Sequence, residues 1–435
     1  MSPKRSRTYH DPLHGAIALD RQDPLEWLLI QLIDTPAFQR LRRVRQLGAA
    51  SLTFHGAESS RFTHALGVME LTRKAFDLLA KRHPHLQPHR ATVLCAALLH
   101  DIGHGPFSHT AEEIFKTHHE DWTRRIIRES APIQALLTAF DPELTAAIES
   151  VYAHQHPIPL IWQLVSSQLD CDRLDYLMRD SYSTGASYGH LDLDRIVRSL
   201  DLDQESNLVV SQKGQTAVEH YLLVRYFMYA QVYNHPKNLA ATWILQQAFH
   251  QAQRCFRAGQ LEADTTVTAW LNHPTPELTL TDYLAADDIV FTYHLQRWQH
   301  HRDRLLADLC QRFIHRNLLK GRDVSGLTAG DRATLLTQTQ AEASKHGFAP
   351  AVYCGLSQSQ SRGYTLYQRG IKMWVNEQPI DIKELSPIVA PLTRTYQRTW
   401  LIHPAEITPW LDQQLRSHSE MQPSPNTVGE TSPIT

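Results

Sequence analysis

Cys95-Ala96-Ala97-Leu98-Leu99-His100-Asp101-Ile102-Gly103-His104-Gly105-Pro106-Phe107-Ser108-His109 is the stretch that decides how this chain is read. An apolar run ends in an adjacent imidazole and carboxylate. Two glycines, a proline and two more histidines follow at once. Apolar residues nearly all round over 91–100 predict a helix buried in a core. Gly103, Gly105 and Pro106 predict its end. The polar group is thereby fixed at the tip of a rigid element, which is how metal and acid–base sites are built.

Helical periodicity extends outward from this stretch. Leu25, Leu28, Leu29, Leu32 and Ile33, then Phe38, Leu41, Val44 and Leu47, predict helix over 24–47 with a new start at Pro36. Leu66, Met69, Leu71, Ala75, Leu78 and Leu79 predict an amphipathic helix over 62–80. Further helices are expected over 111–128, 132–140, 142–152 and 159–180. Residues 207–211 read as a short strand with a turn after it, followed by a helix over 217–232 and a helical block over 237–319. Residues 320–327 read as a break. Beyond it, 363–376 and 380–402 alternate like strands. Residues 1–20 read as an irregular arm, and the Ser-, Pro- and Thr-rich tail from 417 to 435 as disordered. The expected fold class is mostly α, with a small α+β C-terminal subdomain.

The chain has 435 residues, enough for a sizeable core and two or more packed subdomains. Its net charge of -2 provides no general field for nucleic acid, and the arginine run Arg40, Arg42, Arg43 and Arg45 reads as a solvated helix face. Five scattered cysteines with no CxxC pair speak against a disulfide framework and a zinc ribbon. No apolar segment follows the basic N-terminus and no run reaches the length of a membrane span, so a cytoplasmic location without a membrane partner is expected.

A divalent metal needs neutral imidazoles and carboxylates converging from rigid elements. His100 and Asp101 are two such groups. His64 and Asp172 are candidates for the others, since both lie on expected helices with apolar flanks. The alternative for each is a helix-surface residue.

A histidine, then His-Asp, then a distant aspartate is the pattern of the HD phosphohydrolase superfamily, and the chain is identified as a member of it. Asp11-Pro12-Leu13-His14-Gly15, Phe38-Gln39-Arg40-Leu41-Arg42-Arg43 and Gln46-Leu47-Gly48 resemble the opening of its deoxynucleoside triphosphate (dNTP) triphosphohydrolase branch, the dGTPase and SAM-and-HD-domain-like group. Arg61-Phe62-Thr63-His64-Ala65-Leu66-Gly67-Val68, His100 to His109, and Asp172-Arg173-Leu174-Asp175-Tyr176-Leu177-Met178-Arg179-Asp180 resemble its later motifs. Beyond residue 240 only a helical outline is similar.

The resemblance implies an arm and helices over 1–50, an HD catalytic domain over 51–185 and a helical extension completing the site over 186–320; the strand-like alternation places the α+β subdomain over 321–416. It implies His64, His100, Asp101 and Asp172 as ligands of one divalent ion (Mn, Fe, Zn, Ni or Mg), with room for a second Mg carried by the nucleotide. It implies His109 as proton donor oriented by Glu112, with His104 and His119 lining a phosphate channel. Arg61, Arg173 and Arg225 would meet phosphates. Arg173 stands where the mammalian member has lysine. Gln46, Leu47, Tyr176, Asp180 and Tyr233 would crowd the sugar 2′ position and bind the 3′-hydroxyl, which rejects ribonucleotides. The family also implies a homo-oligomer and a nucleotide activator. Two other readings stay open: an HD enzyme acting on a nucleoside monophosphate, guanosine polyphosphate or cyclic nucleotide, and a weakly active HD-fold regulatory or nucleic-acid-binding protein.

Overall fold

The computed structural model describes residues 6–361, 363–365 and 370–421. The protein is mostly helical, as expected, with three small sheets among the described residues. The central helix Arg90–Leu99 is buried from Thr92 to Leu99. It packs on helix Arg61–Arg82, which packs in turn on helix Cys171–Thr184. Asp170 caps the last of these by accepting the Arg173 N–H, and Gly185 ends it in the left-handed region at φ 74°.

The close approach of helices Arg61–Arg82 and Cys171–Thr184 depends on Gly67. A Cβ there would stand 2.0 Å from Oδ1 of Asp175 and 2.5 Å from Nη2 of Arg179. Gly103 is constrained likewise, since its Cβ would meet the His119 carbonyl oxygen at 2.2 Å.

Several expectations are corrected. The first residues form a hairpin, not an irregular arm: β1 (Ser6–Asp11) pairs antiparallel with β2 (Gly15–Asp20), burying Ile17 and Leu19. The helix expected over 111–128 is two, His109–Phe115 and His119–Glu129, parted at Lys116 (φ 53°). The helix expected over 159–180 is interrupted between Pro159–Gln163 and Cys171–Thr184. The helix at 217–232 runs from Gln215 to Met228 and passes into a π-helical turn, Tyr229–Tyr233.

β3 (Leu200–Leu202), which the sequence pattern does not predict, pairs with β4 (Leu208–Ser211), the expected short strand. The break at 320–327 contains β5 (Lys320–Asp323). A helix, Ala329–Lys345, and β6 (Gly355–Ser361) follow. Of the strand-like region, β7 (Lys372–Val375), β8 (Gln378–Asp381) and β9 (Tyr396–His403) are strands, whereas Ile382–Leu385 and Val389–Leu392 are short helices rather than the expected strand, and residues 366–369 lie outside the described range. The sheets run β3-β4-β7-β8 and β5-β9-β6. β4 pairs parallel with β7, so chain on either side of residue 320 shares a sheet. Of the tail expected from 417, residues 417–421 close helix Thr408–Met421, and 422–435 lie outside the described residues. No described helix is long and apolar enough to cross a membrane.

Candidate active site

Three helix ends meet at one point. His64 lies in the first turn of Arg61–Arg82, Asp172 in the first turn of Cys171–Thr184, and His100 and Asp101 directly follow Arg90–Leu99. Nε2 of His64 stands 3.0 Å from Oδ1 of Asp172, 3.3 Å from Nε2 of His100 and 3.5 Å from Oδ2 of Asp101. Nε2 of His100 lies 3.4 Å from Oδ1 of Asp101 and 3.6 Å from Oδ1 of Asp172. Donor atoms 3.0–3.6 Å apart are close enough to share one transition-metal ion, whose bonds to nitrogen and oxygen are about 2.0–2.2 Å. His64, His100 and Asp101 form a group that could hold a divalent metal, and Asp172 stands beside it, in contact with both histidines.

The electrostatics are those of a tightly paired cluster. Burial opposes charge on His64, but hydrogen bonds to Asp172 and Asp175 prevail and hold the imidazole up at about 10. Burial also opposes charge on Asp172, and contacts with His100 and His64 hold its carboxyl below the usual carboxylate range. These opposed shifts reflect pairing between the imidazoles and the carboxylates of the cluster.

A buried network fixes His64 from behind. Asp175 Oδ2 accepts from His64 Nδ1 at 2.7 Å, which turns Nε2 toward the cluster. Asp175 Oδ1 lies 2.6 Å from Nε2 of His14, and Arg179 grips both carboxylate oxygens at 2.8 and 3.0 Å. Arg179 also donates to Asp11 Oδ2 at 2.8 Å, and Asp11 Oδ1 accepts the N–H groups of Leu13 and His14. The N-terminal hairpin is thereby tied to His64. In the sequence these four residues stood only as motif letters, although Asp172, Asp175 and Arg179 already fall on one helical face by spacing.

His104, His109, Glu112 and His119 gather beside Asp101. Nε2 of His104 lies 3.3 Å from Asp101 Oδ1, so the two groups share a carboxylate. Oε2 of Glu112 accepts from His109 Nδ1 at 3.0 Å, while Oε1 accepts from the backbone N–H of His119 at 2.9 Å and its Nδ1 at 2.5 Å. Burial opposes charge on Glu112, but those bonds hold it far below the usual range. Burial, with Arg61 and His119 nearby, holds His104 well below the ordinary imidazole value, so it is neutral. Its buried Nδ1 has no partner among the described residues. The donor atoms of this group also lie within 4.8 Å of one another. The rings of His104 and His119, however, stack 4.0 Å apart at 11°, which aims their lone pairs side by side rather than at one ion. The arrangement suits proton transfer.

The basic and sugar-type residues form a third group. Arg61 donates to Asp101 Oδ2 at 2.6 Å, Ser108 Oγ at 3.0 Å and the Gln46 carbonyl at 3.3 Å, so it braces the site as well as facing it. Arg173 is paired with Asp170, and Arg225 donates to Gln168 Oε1 at 3.0 Å. Tyr233, in the π-helical turn, donates to Asp180 Oδ2 at 2.8 Å, and its ring meets Tyr176 edge-on at 6.1 Å. Burial pushes the Asp180 carboxyl up to about 7. Leu47 is half-buried beside buried Gln46. Oδ1 of Asp180, Oε1 of Gln46 and the Nε atoms of Arg173 and Arg225 are buried without partners among the described residues. Sequence reasoning assigned no site role to Ser108, Gln168 or Asp170; Asp170 is a helix N-cap, but no local spacing ties Ser108 to Arg61 or Gln168 to Arg225.

Against this geometry, the HD domain pattern matches residues 61–181, and the HD associated region matches 191–403. The chain belongs to the HD-domain phosphohydrolase family. The Bacillus subtilis protein YwfO is 38% identical over 386 residues, covering 87% of each chain. A phosphohydrolase from Bacteroides thetaiotaomicron superposes with a TM-score of 0.82 at 26% identity, over 92% of this chain and 99% of that one. The Dictyostelium discoideum homolog of the deoxynucleoside triphosphate triphosphohydrolase SAMHD1 is 29% identical over 278 residues, 60% of this chain. The match spans 52% of that protein's length.

Proposed function

We propose that the protein is a metal-dependent triphosphohydrolase that cleaves dNTPs to deoxynucleoside and triphosphate. The observation that carries the reading is the convergence of His64, His100, Asp101 and Asp172, with a histidine–glutamate group sharing Asp101. A divalent ion held there would polarise a phosphoryl oxygen and lower the pKa of a water.

The chain's own residues do the rest. The P–O bond to the sugar 5′-oxygen breaks as water oxygen bonds to the α-phosphorus, and the proton that the water loses leaves with the triphosphate or to solvent. His109, held by Glu112, gives its proton to the departing 5′-oxygen. His104, kept neutral, and His119 line the path of the phosphates. Arg173 and Arg225 supply positive charge for the phosphates. The open oxygen of Asp180 accepts a sugar hydroxyl, with Tyr233 fixing the carboxyl. Gln46, Leu47 and Tyr176 close the space around the 2′ position. The SAMHD1 relatives support this choice of substrate.

A second reading, hydrolysis of a smaller phosphoester, is favoured by the engagement of Arg61 with Asp101 and of Arg173 with Asp170, which leaves less positive charge for a triphosphate. One assay decides. The protein is incubated with each dNTP, each rNTP and the matching monophosphates, with manganese. Inorganic triphosphate from dNTPs alone is the expected product; orthophosphate or pyrophosphate discards the first reading.

A further inference from the structure

Helix Asp288–Trp298 lies outside the motifs that carry the site, yet its first residue reaches into it. Asp288 is 3% exposed. Its Oδ1 accepts the Phe107 N–H at 2.7 Å and its Oδ2 accepts the Arg45 N–H at 3.0 Å. Each of those residues adjoins a part of the site. Phe107 and Ser108 have φ of 57° and 53°, a region that residues other than glycine rarely adopt, and they directly precede His109. Arg45 directly precedes Gln46. Ser108 Oγ donates to the Arg45 carbonyl at 2.7 Å and closes the same bridge from the other side. Burial pushes the Asp288 carboxyl up to about 6 against these two bonds, so the protein buries this group at a cost.

A carboxylate is suited to this place because it offers an acceptor to both N–H groups at once. An amide would turn an NH2 toward one of them. We propose that Asp288 is a positioning residue that sets His109 against Gln46 and Leu47, coupling proton delivery to sugar discrimination. This rests on the roles proposed above for those three residues.

Asp288→Asn and Asp288→Ala in the full chain test it. The expected result has three parts. First, kcat falls more than tenfold in Asp288→Ala and less in Asp288→Asn, with metal content unchanged. Second, the ratio of kcat/KM for a dNTP to that for its rNTP falls severalfold. Third, hydrogen exchange quickens at amides 45–48 and 105–110. Unchanged exchange at both loops overturns the inference, and so does quickened exchange with wild-type kcat and sugar preference. If Asp288→Ala does not fold, Asp288→Asn carries the test alone. If the wild type turns over no dNTP, the functional reading fails by itself. The exchange pattern and kcat on the phosphoester that is accepted then decide the role of Asp288.

Discussion

Two arginine–aspartate forks of nearly the same shape sit in opposite surroundings. Arg179 donates Nε and Nη2 to Asp175 at 2.8 and 3.0 Å, with side chains 3% and 0% exposed. Arg322 does the same to Asp412 at 2.7 and 2.9 Å, with side chains 39% and 36% exposed. The first stands behind His64; the second joins β5 to helix Thr408–Met421. An exposed pair nets about 0–1 kcal/mol, because water and salt screen it. Stranding one partner of a buried pair costs about 3–5 kcal/mol. Hydrogen-bond geometry therefore does not rank these forks. Burial does, and so does what the carboxylate touches next.

The largest expected effect lies on the buried side of this contrast. Replacing His100 and Asp101 with alanine should lower turnover on the order of 10³-fold or more, since several kcal/mol of charge stabilisation is lost. Bound metal measured on the purified variant should vanish with it; a metal-loaded, active double variant would break the assignment.

Next comes Arg179→Met, expected to destabilise by about 3–5 kcal/mol in urea unfolding and to weaken metal binding about 10–100-fold through Asp175 and His64. A loss of stability with unaltered metal affinity would sever the hairpin network from the centre.

The next effect, read per pH unit, is at Asp180, whose folded value of about 7 lies above the ordinary carboxyl value near 3.9. Between roughly pH 4 and 7 the folded state binds more protons than the unfolded state, so wild-type stability falls as pH rises, by up to about 1.4 kcal/mol per unit. Asp180→Asn should lack this slope and gain on the wild type as pH rises through that window. Parallel unfolding midpoints at pH 5, 6 and 7 would refute it. The smallest effect belongs to Arg322→Met, at most about 1 kcal/mol with metal content and turnover unchanged. A loss like that of Arg179→Met would erase the contrast between the two forks.

The parts of the fold legible in the sequence are those built by local patterns. The helix ending at His100 shows itself by eight consecutive buried residues and the glycines after it. The hairpin at β1 and β2 hides because β1 alternates mostly exposed and half-buried residues, and only Ile17 and Leu19 of β2 reach the core. β6 has the sequence Gly-Leu-Ser-Gln-Ser-Gln-Ser, poor in strand-forming side chains, and exists because β9 pairs with it from Gly355↔Ile402 to Ser361↔Tyr396. In the site, the His-Asp dipeptide and its distant partners were legible as a motif. The Asp11–Arg179 bond spans 168 positions and the Asp288 bond to Phe107 spans 181, so no spacing rule reaches them.

The left-handed kink at Lys116 has a consequence for anyone seeking a hardier version of this enzyme. An unbroken helix through this segment would set His109 and His119 about 15 Å apart along its axis, whereas their rings now stand 5.4 Å apart around one glutamate. Substitutions chosen to raise helical propensity between Glu112 and Trp122 would toughen the scaffold by separating that pair. Glycine at 116 is the change that eases the backbone while preserving the bend, so thermal resilience and chemistry need not be traded there.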